Sequence, residues 1–345
     1  MKTIRVSASN SYDVIIGAEV FADIGKYLEP IIKANCKIAI ISDSNVYPFY
    51  GETVTDRLQD AGFQVISYIF PAGEASKNAT TYLDILNFLA VNHITRSDAI
   101  LALGGGVTGD MAGFAAATYL RGISYIQAPT SLLAMVDSSV GGKTAIDLPS
   151  GKNLVGAFYQ PKLVLCDLNT LNTLPDTVFR DGCAEIIKYG ILYDKKLFSH
   201  LQTNGLNFQR EEVISRCVTL KRDVVAEDEF DTGARQKLNL GHTIGHGVEA
   251  QSNFTITHGQ AVAIGMAIVT KAGCNEIYSE LISILKKFGL PTTTNFSARQ
   301  LYISALSDKK RSGGTVNLIV PEKIGECSIL QLAVDKLESF IEEGL

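Results

Sequence analysis

Ala99-Ile-Leu-Ala-Leu-Gly-Gly-Gly-Val-Thr-Gly-Asp110 carries the reading of the fold. An apolar run enters three glycines, and Asp110 to Tyr119 follows, rich in Ala and Gly. A short run that is apolar throughout suits a strand covered on both faces. The small-residue stretch after it is predicted as a closely packed helix. Strand, glycine turn and helix in this order make the unit of a parallel α/β sheet.

The same alternation extends to both sides. Lys37-Ile-Ala-Ile-Ile-Ser42, ending at Asp43, and Phe63 to Phe70 read as strands, and Thr80 to Val91 has helical spacing. Ser124 to Ala128 and Leu163 to Cys166 read as further strands. Past Leu174-Pro175 the pattern changes to helices: Val178 to Tyr189, Glu211 to Asp228, His242 to Gln251, Gly259 to Asn275 and Ser279 to Phe288. Val316 to Val320 is the one later strand signal. The expectation is an open α/β nucleotide-binding domain over 1–174 and a mainly helical, metal-binding domain over 175–345.

Composition narrows the function class. The 345 residues include 36 Asp+Glu against 31 Lys+Arg, a formal charge of −5, which disfavours nucleic-acid binding through a broad basic face. An apolar content of 46% can build two cores. Six scattered cysteines, none in a CxxC pair, fit reduced thiols rather than a disulfide framework. The N-terminus enters strand-like alternation rather than a signal peptide, and Ala261 to Val269 is short of the about 20 residues that span a bilayer. A cytoplasmic protein is expected.

Three features point to chemistry. Gly104-Gly-Gly-Val-Thr-Gly-Asp110 lets backbone approach a diphosphate at a helix N-terminus. A tight strand-to-helix turn is the alternative. Asp43, after the earlier strand, can bind ribose hydroxyls, although Asp-Ser-Asn is also a common turn. Asp137-Ser-Ser-Val-Gly-Gly-Lys-Thr144 offers bare N–H groups and a cation to an anion, with Lys152-Asn153 beyond it. It lacks the P-loop spacing, and a solvated loop is the alternative.

The third feature is histidine. Gly241-His-Thr-Ile-Gly-His246 places two imidazoles at i, i+4 on one helical face, and His258 opens the next helix. Imidazoles with one carboxylate make a common catalytic zinc set. Glu185 of Ala184-Glu-Ile-Ile-Lys188 is the best-placed carboxylate, in an apolar helix where an unpaired charge is costly. A hydrogen-bonded core histidine is the alternative for any one of the three. Lys188, Lys221, Arg222, Arg235, Asn239 and Asp308-Lys-Lys-Arg311 together suit an anionic, polyoxygenated substrate.

Several ordered blocks then resemble the 3-dehydroquinate synthase family, within the wider sugar phosphate cyclases. They are Pro71-Ala-Gly-Glu-Ala-Ser-Lys77, the Gly104–Asp110 loop, Pro129 to Thr144, Gly151 to Pro161, Ala184-Glu-Ile-Ile-Lys-Tyr-Gly190 and Leu238 to His246. Departures are small: Gly247 stands where Ala is commoner, and Cys183 where Leu is frequent. The resemblance covers nearly the whole chain. It implies a homodimeric lyase using NAD and one divalent metal, Zn²⁺ or alternatively Co²⁺, on a small sugar phosphate, with no nucleic-acid or membrane partner.

For the cofactor, the resemblance implies Asp43, Asn45, Glu74, Lys77, Gly105, Gly106, Val107, Thr108, Gly109, Asp110, Thr130, Ser131, Asp137, Lys143, Lys152, Thr170, Leu171 and Thr173. For the substrate and its chemistry it implies Arg121, Asp137, Lys143, Asn153, Lys188, Lys221, Arg235, Asn239, His246, Lys309 and Lys310. For the metal it implies Glu185, His242 and His258. Spacing alone would instead pair His242 with His246. The rival readings are a cyclase acting on a sugar phosphate without a carboxylate, a metal-dependent NAD alcohol or glycerol dehydrogenase, and an NAD-binding regulatory module.

Overall fold

In the computed structural model the described residues are 1–253, 255–309 and 314–345, the side chains of 306–309 excepted. The strands are β1 (Lys2–Val6), β2 (Tyr12–Gly17), β3 (Lys37–Asp43), β4 (Gln64–Phe70), β5 (Ala99–Gly104), β6 (Ser124–Pro129), β7 (Lys143–Leu148), β8 (Gly151–Phe158), β9 (Leu163–Asp167), β10 (Thr315–Lys323) and β11 (Glu326–Ala333). The helices are α1 (Ile24–Leu28), α2 (Tyr47–Asp60), α3 (Ala79–Val91), α4 (Gly106–Thr118), α5 (Asp176–Tyr193), α6 (Lys195–Asn204), α7 (Arg210–Glu227), α8 (His242–Gln251), α9 (His258–Gly273), α10 (Tyr278–Lys287), α11 (Ala298–Lys309) and α12 (Leu337–Gly344).

Two compact units result, Met1–Leu174 with Arg210–Phe230, and Pro175–Gln209 with Asp231–Leu345. The expected 175–345 domain therefore differs in one segment. Helix α7 buries Val213, Ile214, Cys217 and Val218 and packs along β1, β2 and the turn 134–138, so it belongs with the sheet. Its amphipathic pattern predicts the helix but not its partner.

The first unit holds a seven-stranded sheet in the order β1-β2-β9-β6-β5-β3-β4. Strands β2, β9, β6, β5, β3 and β4 run parallel, and only β1 is antiparallel. Ile40, Leu101, Val54 and Leu58 lie in the core on one face, and Ile41, Ile100, Met111 and Ala115 in the core on the other. Both faces are covered, which is why the central strands carry no polar alternation.

Helix α4 starts at Gly106, earlier than Asp110 as expected. Its first turn is tightly packed at the glycines: a Cβ on Gly106 would stand 3.2 Å from Ser138 Oγ, and one on Gly109 2.7 Å from Gln127 Oε1. Lys143, expected in a loop, opens β7, which pairs antiparallel with β8.

The second unit is helical apart from the β10–β11 hairpin. Only the first of its strands was expected. Helix α9 starts with a capping box in which Thr257 and Gln260 satisfy each other's backbone N–H groups. No helix among the described residues is long and apolar enough to cross a membrane.

Candidate active site

In the first unit most of the expected cofactor residues share one edge of the sheet, while Lys143 and Lys152 lie on the separate β7–β8 hairpin. Asp43 and Asn45 follow β3, Glu74 and Lys77 follow β4, and Gly105 to Asp110 follow β5. Thr130 and Ser131 follow β6, and Thr170, Leu171 and Thr173 follow β9. Because these strands are parallel, all these residues stand at their carboxyl ends. The chain leaves β3 for β4 in one direction and β5 for β6 in the other, so the β3–β5 boundary is a topological switch point. In open α/β sheets ligands bind in the crevice at such a point.

Asp43 is held in place at that boundary. Its Oδ1 accepts the Asn45 and Val46 N–H groups at 2.9 and 3.1 Å, and its Oδ2 accepts the Thr108 hydroxyl at 3.2 Å. The Thr130 N–H donates to the Gly104 carbonyl at 2.9 Å, which ties the β6 loop to the glycine turn. Tyr50 links its hydroxyl to the Thr170 carbonyl at 3.2 Å.

A buried charge network lies beside the glycine turn. Lys77, 5% exposed, donates Nζ to Asp110 Oδ2 at 2.6 Å and to Asn153 Oδ1 at 2.5 Å. Burial alone would weaken its hold on a proton. Asp110 and Glu74 outweigh that and keep the ammonium above the ordinary lysine range. Lys152 pairs with Glu74 at 3.4 Å. Lys221 donates to the Asp137 carbonyl at 2.5 Å and stands 2.9 Å from Asp137 Oδ1. Asp137 sits in a single π-helical turn, Ala134–Ser138, a local widening that often re-aims functional side chains.

In the second unit three helix segments converge because small residues let their backbones approach. At Gly241 (φ 78°) a Cβ would stand 2.7 Å from the Val262 carbonyl oxygen, and at Gly245 3.0 Å from that of Ala261. At Gly259 it would overlap the Asp181 carbonyl. The first crossings set α8 against α9, and the last sets α9 against α5.

His242 Nε2 and His258 Nε2 consequently each stand 3.6 Å from Glu185 Oε1. Glu185 is buried, and its other oxygen pairs with Lys188 one turn on. His242 Nδ1 faces the Leu240 carbonyl at 3.1 Å, which leaves Nε2 as the acceptor nitrogen. Burial, with Lys188 nearby, holds the His242 imidazole well below its ordinary range and so neutral. Burial also pulls His258 down, but Glu185 and Glu249 on its two sides lift it to about 10. Either a proton or a divalent cation answers those carboxylates.

The donor set suits a metal. Ligands bonded at about 2.0–2.1 Å in a tetrahedron stand about 3.4 Å apart, close to the observed separations. Glu185, His242 and His258 can hold one ion, and so can His246, Glu249 and His258. His242 and His246, the pair favoured by spacing, fall in different groups.

Comparison with known proteins then decides the family. Residues 67–181 match the family described as 3-dehydroquinate synthase N-terminal, and residues 182–311 match 3-dehydroquinate synthase C-terminal. A 3-dehydroquinate synthase of Clostridium acetobutylicum is 46% identical, covering 98% of this chain and 97% of its own. The chain belongs to the 3-dehydroquinate synthase family.

Two solved sugar phosphate cyclases share the family's fold at 25% identity. A 2-deoxy-scyllo-inosose synthase complexed with carbaglucose-6-phosphate, NAD⁺ and Co²⁺ superposes with a TM-score of 0.90, covering 100% of both chains. A 2-epi-5-epi-valiolone synthase from Streptomyces hygroscopicus subsp. jinggangensis, with NAD⁺ and Zn²⁺ bound, gives 0.89 and covers 99% of both.

Several residues implied by the 3-dehydroquinate synthase resemblance need separate placement. Arg121 is exposed and stands just before β6, at the amino edge of the sheet, where the Leu120 carbonyl accepts from Arg96. Helix α4, about 20 Å long at 1.5 Å per residue, separates it from the glycine turn. Lys188 is buried with the metal donors, and Arg235 is buried in the turn Ala234–Asn239 that packs on α5. Asn239 ends that turn. Lys309 closes α11 with its side chain outside the described residues, and Lys310 lies wholly outside them.

Two residues near the candidate site were not anticipated. Asp147 accepts the Asn153 N–H at 2.7 Å, and Glu249 Oε2 stands 3.6 Å from His258 Nδ1. Glu249 lies seven residues after His242, so the helical period places it on the same face of α8. Asp147 has no such signal.

Proposed function

We propose that the chain converts 3-deoxy-D-arabino-heptulosonate 7-phosphate to 3-dehydroquinate and inorganic phosphate. The route is transient oxidation, β-elimination of phosphate, reduction at the same carbon and intramolecular aldol closure. It is a step of the shikimate pathway to aromatic amino acids. The observation that carries this above a dehydrogenase reading is the 46% identity to a 3-dehydroquinate synthase over 98% of this chain.

When bound, NAD⁺ supplies a hydride acceptor renewed within each turnover, and a divalent cation supplies polarisation of the substrate oxygen at the oxidised carbon. Glu185, His242 and His258 would hold the metal, zinc in first place and cobalt as an alternative. Asp43 and the turn Gly105 to Asp110, with Glu74, Lys77, Thr130 and Ser131, would hold the dinucleotide. Asn45, Lys152, Thr170, Leu171 and Thr173 would line it.

Lys143, Lys221, Arg235 and Asn239 would orient the carboxylate and phosphate while carbon chemistry proceeds. Asp137 sets the Lys221 ammonium, and Lys188 neutralises the outer oxygen of Glu185. His246 contacts the phosphate in this reading, and Asn153 the sugar. The departing phosphate can itself collect the proton removed from the adjacent carbon.

The same reading makes the enzyme a cytoplasmic homodimer. The six cysteines are free thiols, which supports a reducing compartment. The position of Arg121, remote from the glycine turn of its own chain, supports its acting at the site of a second copy.

Phosphate release tests the reaction. Purified protein is given NAD⁺ and zinc with the heptulosonate phosphate, with sedoheptulose 7-phosphate, or with glycerol. Release from the first alone is expected. Preference for sedoheptulose 7-phosphate would point to another cyclase, and NADH formation from glycerol to a dehydrogenase.

A further inference from the structure

Lys77, Asp147 and Asn153 close a hydrogen-bonded ring. The Asp147 N–H donates to the Lys77 carbonyl at 2.8 Å, the Asn153 N–H donates to Asp147 Oδ1 at 2.7 Å, and Lys77 Nζ donates to Asn153 Oδ1 at 2.5 Å. The three come from the turn before α3, from the end of β7 and from the start of β8. Asn153 has a left-handed backbone, φ 54°, which asparagine tolerates better than most residues but which still needs support.

We infer that Asp147 is a positioning residue for the proposed reaction, acting through Asn153. An ammonium only donates, so Lys77 fixes the orientation of the Asn153 amide: Oδ1 faces the lysine and Nδ2 faces outward as a donor. The Asp147 carboxylate holds the backbone turn that makes this orientation reachable, and its own N–H anchors that turn to Lys77. Lys77 is in turn held by Asp110, in the first turns of α4. One carboxylate thus keeps a residue assigned to the sugar in register with a lysine assigned to the dinucleotide. This rests on the function proposed above for Lys77 and Asn153.

The test compares Asp147→Ala, Asp147→Asn, Asn153→Ala and the double variant Asp147→Ala/Asn153→Ala in the full chain with zinc. Amide hydrogen exchange at Asn153 reads the ring without reference to any reaction. Protection is expected in wild type and Asp147→Asn, whose amide oxygen still accepts, and is lost in Asp147→Ala. Asp147→Ala should lower kcat/KM for the heptulosonate phosphate by about tenfold, the scale of one hydrogen bond to a charged group. Asp147→Asn should stay within about threefold of wild type on the same scale. The double variant should be no worse than Asn153→Ala, because Asp147 acts through that residue.

Unchanged exchange in Asp147→Ala, or losses that multiply in the double variant, would overturn the inference. So would an Asp147→Asn variant as impaired as Asp147→Ala. If wild type releases no phosphate, the functional reading fails, and the exchange data still decide whether Asp147 orders Asn153.

Discussion

Gly259 and Asp181 touch through their backbones: a Cβ on Gly259 would overlap the Asp181 carbonyl, and the next residue, Gln260, donates its N–H to Asp181 Oδ1 at 3.0 Å. This contact sets the start of α9 against α5, and with it His258 against Glu185. Gly259→Ala should force the two helices apart at a cost of about 1–3 kcal/mol, typical of overpacking. Zinc affinity should fall although no ligand is altered. A Gly259→Ala protein with wild-type melting temperature and zinc affinity would show that the ligand spacing is set elsewhere.

The ligand assignment separates three variants. His258→Ala and Glu185→Ala should each leave the protein with far less zinc, since a three-ligand site that loses a ligand binds weakly. His246→Ala should keep near-stoichiometric zinc and lose activity through the substrate. Elemental analysis of the purified variants reads this directly. Zinc retained by Glu185→Ala but lost by His246→Ala would favour the second donor group, which includes Glu249.

Lys143 stands at the first residue of β7, after Gly141 and Gly142, both with positive φ (96° and 68°). Those left-handed glycines turn the chain so that the lysine emerges on the exposed side. Lys143→Met should fold as wild type by circular dichroism and lose rate on the order of 10²-fold, as other removed oxyanion donors do. Wild-type turnover in that variant would make Lys143 a solvated surface residue.

The Lys77–Asp110 pair predicts a stability effect. Lys77→Met leaves Asp110 beside an apolar chain, and breaking a buried pair costs about 3–5 kcal/mol. Adding Asp110→Asn should restore a large part of that loss, because the stranded charge is removed. Denaturant midpoints of the two single variants and the double variant decide it. Equal midpoints for wild type and Lys77→Met would contradict the account.

Much of the first unit was legible because its strands are buried on both faces. Ile38 to Ile41 and Ala99 to Leu103 could only be runs without alternation, and they stand where the sequence places them. What was missed depends on partners remote in sequence. The hairpin β7–β8 begins with two glycines and reads as a loop until Lys143 finds Phe158 across the ladder. Helix α7 shows its apolar stripe but not that β1 and β2 cover it. In the second unit the three histidines announce a metal, yet their spacing favours His246 over His258. What brings His258 near Glu185 and His242 lies in the Gly241 and Gly259 contacts, which exist only once the helices cross.

The most direct test of the central claim counts phosphate against cofactor. With zinc-loaded protein, heptulosonate phosphate in large excess and NAD⁺ limiting, phosphate and absorbance at the NADH band are followed together. Many phosphates per NAD⁺, with no net NADH at the end, are predicted, because oxidation and reduction occur at the same carbon. NADH accumulating one for each product, or phosphate release that stops after one equivalent of NAD⁺, would contradict the account.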